Sequence, residues 1–452
     1  MTTDLTSAAS RQQLCALYRD TLLNDVMPFW LRHGLDREHG GLFTCLDRDG
    51  SIVDTDKSVW FQGRAAWMFA TLANTTPVGR DAVEPHRERS EASVASISGS
   101  DTPSQEARFA RASCGGKWGS TESRPTSRAN YLAAARSCIE FSRRHCHAPD
   151  GKMFFTVTRE GRPLRMRRYV YSESFAAIAN AAYAKATGEA RAAEDAVKLF
   201  ATYLHHSFTP GVMPPKFEAT RPMKGIGPHM IGIATAQELR ANLGDLTVSG
   251  RTCTEWIDAS IAEIERNFLK PEHCALLEVV APDGSVMDHH DGRTLNPGHA
   301  LECAWFVMHE GELRGDKKLI QLGATILDWM WARGWDAEHG GLLYFTDLLA
   351  KPVQEYWHDM KFWWPHNEAI IATLLAWQLT GEPRYAAMHE QVHDWSFKHF
   401  PDPEHGEWFG YLHRDGRLSS RAKGTLYKGP FHLPRCLWYC WQRLEQAESP
   451  AT

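Results

Sequence analysis

Six polar side chains open six apolar runs in this chain, and their types suit work on a polar substrate. They are Arg64 in WFQGRAAWMFATL, Glu173 in YSESFAAIANAAY, His229 in GPHMIGIATAQEL, His299 in NPGHALECAWFVM, Glu368 in WWPHNEAIIATLL and His432 in GPFHLPRCLWYCW. Imidazole titrates near neutral pH and can take or give a proton there. The steps between these residues are 109, 56, 70, 69 and 64, a near-constant period apart from the first. One ionisable residue per repeat would converge on a central pocket where helices begin, and helix N-termini add N–H groups and positive dipole ends suited to sugar hydroxyls or a developing oxyanion.

Each of these residues also has a plainer reading. Arg64 could pair a carboxylate across a ring of helices, and Glu173 could cap the turn before its helix. His432, between Phe431 and Pro434, could be a buried neutral histidine, and the Gly-Pro flanks of His229 allow a loop residue. Glu302 stands three positions after His299, which places its carboxylate on the same helical face to orient the imidazole. His366 and Glu368 share the segment WWPHNE and point in different directions if that helix begins at Pro365.

The elements that must position these groups are legible as repeats. The turn DREHGG at 36–41 returns as DAEHGG at 336–341 and DPEHGE at 402–407, each followed by a short alternating run that reads as a β-hairpin or extended loop. Related runs start at 149 and 273, and a less regular loop starts at 207, so the steps are 113, 58, 66, 63 and 66 residues. The long step contains 76–128, rich in Ser, Arg, Gly and Pro with little apolar periodicity, a low-complexity insertion expected to be disordered. Removing its 53 residues restores a period of about 60, enough for two helices and a hairpin. KATGEAR at 185–191 and QLTGEPR at 378–384 even repeat the turn between helices, with Gly at the helix end. Six helix pairs arranged cyclically predict an all-α (α/α)6 barrel over residues 10–447, with short hairpins at the loop ends. Within it His39, His339 and His405 mark separate corners and act as turn residues, so no metal site is expected.

Composition narrows the function further. The chain has 452 residues, 43% of them hydrophobic and 23% charged, which fits a globular fold with a large core. A net charge of −5 gives no basic surplus for nucleic acid or an anionic membrane, and the 17 tryptophans suggest an aromatic-lined pocket. The 10 cysteines form no CxxC pair; Cys436 and Cys440 lie one helical turn apart, which suits free thiols in a reducing compartment. No window approaches a membrane span and the N-terminus lacks a secretory pattern, so the expected location is cytoplasmic.

WFQGRAAW, NPGHALECAW, DMKFWWPHNEAI, DPEHGEWFGYL and KGPFHLPRC closely resemble the N-acylglucosamine 2-epimerase family, whose vertebrate members were also called renin-binding proteins. The resemblance runs from about Met27 to about Gln446, interrupted by the insertion. It implies the (α/α)6 barrel, a homodimer, interconversion of N-acetylglucosamine and N-acetylmannosamine in amino-sugar metabolism leading to a sialic acid precursor, and ATP as an activator that is not consumed. By motif, the two catalytic histidines correspond to His299 and His432, and Arg64 and Glu368 match an arginine and a glutamate needed for activity.

The chemistry gives those residue types a reason. Inverting C2 of an open-chain 2-acetamido sugar needs one base and, on the other face, one acid, which two histidines can supply in either direction. Glu302 is then expected to hold the tautomer of His299, Arg64 to stabilise the enediolate, and Glu368 to help ring opening or hold a hydroxyl. Trp305, Trp363 and Trp364 would form the sugar platform, with Glu173 and His366 among the binding residues. For the nucleotide, Lys152, Arg159, Arg165, Arg167 and Arg168 are candidates for phosphate contact or a solvated basic hairpin; no Walker-type loop is present, so hydrolysis is not expected. Rival readings are a mannose isomerase or cellobiose 2-epimerase, an inverting glycoside hydrolase using Glu173 and Glu368, and a binding protein of the renin-inhibitor type.

Overall fold

Some helices of this chain are apolar on every side and others along one stripe, and that difference sorts them into two layers. In chain order they are α1 (Ala8–Thr21), which continues through a π-helical turn into α2 (Met27–His33), then α3 (Val59–Thr75), α4 (Arg128–His145), α5 (Tyr171–Thr187), α6 (Ala190–Phe208), α7 (Gly227–Leu243) and α8 (Cys253–Glu263). There follow the single turn α9 (His290–Arg293), α10 (Pro297–Arg314), α11 (Lys317–Gly334), α12 (Trp363–Thr380), α13 (Pro383–His399) and α14 (His432–Glu448). The structure, a computed structural model, describes residues 3–75 and 126–448. The insertion read at 76–128 therefore lies outside the described residues up to position 125. Its far boundary falls earlier than expected, because Ser127 caps α4 and Arg128 is already helical.

α3, α5, α7, α10, α12 and α14 form the inner ring, each packed on the next. The ring closes where Trp438 of α14 donates its indole N–H to Thr75 of α3 at 2.9 Å and Phe431 meets Trp67 edge-on at 5.4 Å. α12 shows the inner type: every residue from Trp363 to Ala376 is buried. α6 shows the outer type, burying Ala192, Ala196, Leu199, Phe200, Tyr203 and Leu204 at helical spacing while its charged residues face out. The outer helices lie on the inner ones, α1 on α14, α4 on α3 and α5, α6 on α5 and α7, α8 on α7, α11 on α10 and α12, and α13 on α12. This is an (α/α)6 barrel. The repeated helix–helix turns end as expected, with Gly188 and Gly381 in the left-handed conformation at φ 76° and 70°.

The repeated DxEHG turns are corner joints. In each, the Asp carboxylate accepts backbone N–H bonds from its own turn and meets a fully buried lysine and an arginine: Asp36 with Lys57 and Arg159, Asp336 with Lys361 and Arg414, Asp402 with Lys423 and Arg48. The arginine comes from a neighbouring hairpin, so each corner ties two repeats. His39, His339 and His405 each sit half-buried beside the preceding glutamate, at 3.6, 3.5 and 3.6 Å, in separate corners.

The hairpins stitch the repeats together rather than standing alone. Thr156–Val157 pairs with Pro163–Arg165 and also with Lys57–Ser58, which leads into α3; Tyr411–Leu412 pairs with Leu418–Ser420 and with Lys361–Phe362, which leads into α12. The run after Gly341 makes no hairpin of its own, since Thr346–Asp347 pairs with Thr294–Leu295 ahead of α10. Likewise the loop beginning at Ser207 reaches its strand partner only at Lys224–Gly225, against Val279–Val280. Each inner helix thus begins from a pinned strand or turn, which fixes the direction of its first side chains.

Candidate active site

A cavity of about 1370 Å³ runs inside the inner ring. Its upper part is lined by residues from the first two turns of the inner helices, among them Arg64, His299, Glu302, Trp363, Trp364 and His432. Trp364 neighbours both imidazoles, its ring 5.0 Å from His299 and 5.6 Å from His432.

Both histidines are held at Nδ1 by a carboxylate, which leaves Nε2 for a substrate. His432 Nδ1 donates to Glu368 Oε1 at 2.7 Å. Burial, reinforced by the positive charges of Arg64 and Arg435, pushes its pKa well below the usual imidazole value, so His432 is neutral at pH 7. His299 Nδ1 meets Glu278 Oε2 at 3.0 Å. Burial lowers its pKa, but Glu278, with Glu302 and Glu368 further off, outweighs that and raises it above the ordinary value. One imidazole is poised as a base and the other as an acid.

The carboxylates are therefore assigned differently from the sequence expectation. Glu302 does not orient His299; its Oε1 accepts from Arg435 at 2.6 Å. Glu278, in the loop between the strands Ala275–Leu276 and Val279–Val280, does so instead. Glu368 does not line the cavity but sits beneath it, fully buried, where it also accepts from Trp305 Nε1 at 2.8 Å and Arg435 at 2.7 Å. It holds His432 from outside the cavity lining. Trp305 lines the cavity with its N–H committed to Glu368.

Arg64 makes no ion pair among the described residues. Its guanidinium lies over the rings of Phe175 at 4.0 Å and Phe431 at 4.6 Å, and its Nε has no hydrogen-bond partner among the described residues. Burial lowers its pKa to about 9, still leaving it charged at neutral pH. An unpaired cation in an aromatic wall is a ready counter-charge for an anion formed in the cavity.

Three predicted residues point elsewhere. Glu173 faces away from the cavity and accepts the Met153 N–H at 2.6 Å, tying α5 to the 149–163 hairpin; burial raises its pKa to about 7. His366 is fully buried between the Leu342 N–H, which Nε2 accepts at 2.9 Å, and the Phe362 carbonyl, to which Nδ1 donates at 2.6 Å. His229 packs on Phe208 at 5.1 Å, outside the cavity, where burial lowers its pKa to about 4.

The family model for N-acylglucosamine 2-epimerase (GlcNAc 2-epimerase) matches residues 120–430. The N-acylglucosamine 2-epimerase of Mus musculus is 33% identical over 428 residues, covering 93% of this chain and 90% of that protein. The chain belongs to the N-acylglucosamine 2-epimerase family. A cellobiose 2-epimerase of Bacteroides fragilis is more distant, 24% identical over 92% of this chain and 95% of its own. The solved cellobiose 2-epimerase from Spirochaeta thermophila shares the fold, with a TM-score of 0.73 at 20% identity over 98% of this chain and 99% of that one.

Within this family member, Glu302, Glu368 and His432 bring ligand atoms within 4.8 Å of one another, a spacing that would suit a metal. The Arg435 guanidinium already bridges the two carboxylates, so the cation of that cluster is the protein's own. The two carboxylates of an inverting glycosidase would have to face one another across the cavity. Glu173 and Glu368 both lie outside its lining, which removes that alternative.

Proposed function

We propose that this chain interconverts N-acetylglucosamine and N-acetylmannosamine by moving the proton at C2 of the open-chain sugar. The observation that carries this is the pair of carboxylate-held imidazoles, both beside the Trp364 ring in one cavity, with oppositely shifted proton affinities. Neutral His432 takes the C2 proton at Nε2; the C2–H electron pair moves into the C1 carbonyl and forms an enediolate. Arg64 stabilises that oxyanion, which the ground state lacks. His299 then delivers its Nε2 proton to the other face of C2 as the carbonyl reforms, and the histidines exchange roles for the reverse direction. The resting charge state matches the direction in which His432 is the base; the reverse direction uses the form with the proton on His432 and none at His299 Nε2.

The closer sequence match to the mouse acylglucosamine enzyme than to the cellobiose enzyme supports an acetamido substrate. The proposal includes ATP as an unconsumed activator, a homodimer and a cytoplasmic location; no helix among the described residues is long and apolar enough to cross a membrane. For nucleotide phosphates, Arg165 and Arg168 are better candidates than Arg159, whose guanidinium is committed to Asp36 and Glu38, or Lys152, paired with Asp150. Arg167 is bonded to the Tyr427 hydroxyl at 2.8 Å beside the mouth of the cavity. The test is to offer purified protein N-acetylmannosamine, mannose and cellobiose separately. Turnover of the first with little of the others supports the proposal; turnover of mannose or cellobiose alone moves the chain to a sister specificity. A purely binding, renin-inhibitor role would be favoured by inactivity on all three.

A further inference from the structure

The cavity does not end at the sugar site. Typical small-molecule pockets hold about 300–1,000 Å³, and this one, at about 1370 Å³, continues down the inner helices. His309 lies ten residues after His299 on α10, about 15 Å further along the helix, and still lines it. Below the first turns the middle of α3 and α14 meets the later turns of α7 and α10: Trp67 Nε1 donates to Glu238 Oε2 at 2.8 Å, Asn242 Nδ2 to the same oxygen at 3.2 Å, and the Tyr439 hydroxyl lies 3.2 Å from His309 Nδ1. Trp438 stands edge-on to Trp67 at 6.3 Å. The lower part of the cavity is thus lined by the Glu238 carboxylate with Trp67, Trp438 and Tyr439, and the Glu302–Arg435 pair lines the same cavity.

The cations at this end are already committed. Arg240 and Arg314 both bind Glu310, Arg443 binds Glu312, and the Lys185 ammonium donates to the Ala241 carbonyl. Glu238 makes no ion pair among the described residues, and its Oε1 has no hydrogen-bond partner among them. The inner helices also present their C-terminal, negative dipole ends here. Arg435 and His309 act on Glu238 only through space, and a carboxylate without a direct ion pair in an indole-lined cavity is the complement of an ammonium group. Arg64 gives the upper compartment the opposite sign.

We propose that the lower compartment is a second ligand site, which takes a small hydroxylated primary ammonium compound on Glu238, with Trp67 and Trp438 as its walls. The site is distinct from the catalytic one and does not depend on which sugar that one turns over. The probe is protonated glucosamine, titrated calorimetrically into the full chain at neutral pH, with glucose as the neutral comparison. The expected result is that glucosamine binds and glucose does not, that Glu238→Gln weakens glucosamine roughly tenfold or more, as loss of a charged hydrogen bond does, and that His432→Gln leaves it unchanged. Equal binding of glucose, no binding of glucosamine, undiminished binding to Glu238→Gln, or a matching loss in His432→Gln would each overturn the proposal. Should Glu238→Gln not fold, the glucosamine-to-glucose contrast and the His432→Gln control still decide it.

Discussion

Glu368 and His432 lie 64 positions apart in the chain, yet a single carboxylate oxygen of the glutamate holds the imidazole Nδ1 at 2.7 Å. The same oxygen accepts from Arg435 at 2.7 Å, so His432 is oriented by a carboxylate outside the cavity lining. Glu368→Gln is expected to keep the fold and lower kcat by about 10²–10⁴-fold, the range of a lost general base, with a much smaller change in KM. Steady-state kinetics on the purified variant check this.

The two histidines predict a bell-shaped pH profile for kcat/KM. The acid limb, where His432 protonates, falls well below the usual imidazole value, and the alkaline limb, where His299 loses its proton, falls above it. The active forms for the two directions carry the same single proton on the pair, so both directions share the same limbs. Glu278→Gln removes the partner that raises His299 and therefore moves the alkaline limb toward lower pH.

Arg64→Ala is expected to lower kcat by about 10²–10³-fold, as loss of one oxyanion-stabilising donor does. Because the charge matters most in the enediolate, KM should move less than kcat. Paired measurements of the two constants test that split.

Glu173→Gln is expected to keep close to native kcat, because that carboxylate bonds the Met153 N–H and does not reach the cavity. A large loss of turnover with intact folding would restore Glu173 to the site.

The corner carboxylates predict an acid sensitivity. Donors from Lys, Arg and the turn backbone hold Asp36, Asp336 and Asp402 below the ordinary carboxylate range despite burial. A depressed folded-state pKa contributes stability that is fully present above the unfolded value of about 3.9 and is lost as pH falls through the folded value. Asp336→Ala, which leaves Lys361 buried without its carboxylate, should cost about 3–5 kcal/mol, read by thermal or denaturant unfolding at neutral pH.

The barrel was legible in the sequence because its markers are local: each DxEHG turn closes on its own backbone and each helix-end glycine on its own helix. Arg64, His299 and His432 were legible as residues near the start of apolar helices. The errors came from direction and distance. Helical neighbours differ by about 100°, so His366 and Glu368, two apart, face opposite ways, and Glu173 turns outward while Ser174 and Phe175 line the cavity. Glu302 has the right spacing to orient His299, but Arg435, three residues after His432, captures it. Glu278 lies in the run that starts at 273, and nothing local in that loop signals a contact made 21 positions later.

The most direct test of the account is epimerisation of N-acetylmannosamine in deuterium oxide, with and without ATP, followed at C2 by proton NMR. The account predicts N-acetylglucosamine carrying deuterium at C2, with its formation abolished in both His299→Ala and His432→Ala. Product that retains the original C2 hydrogen, or undiminished formation of product in either variant, would contradict it.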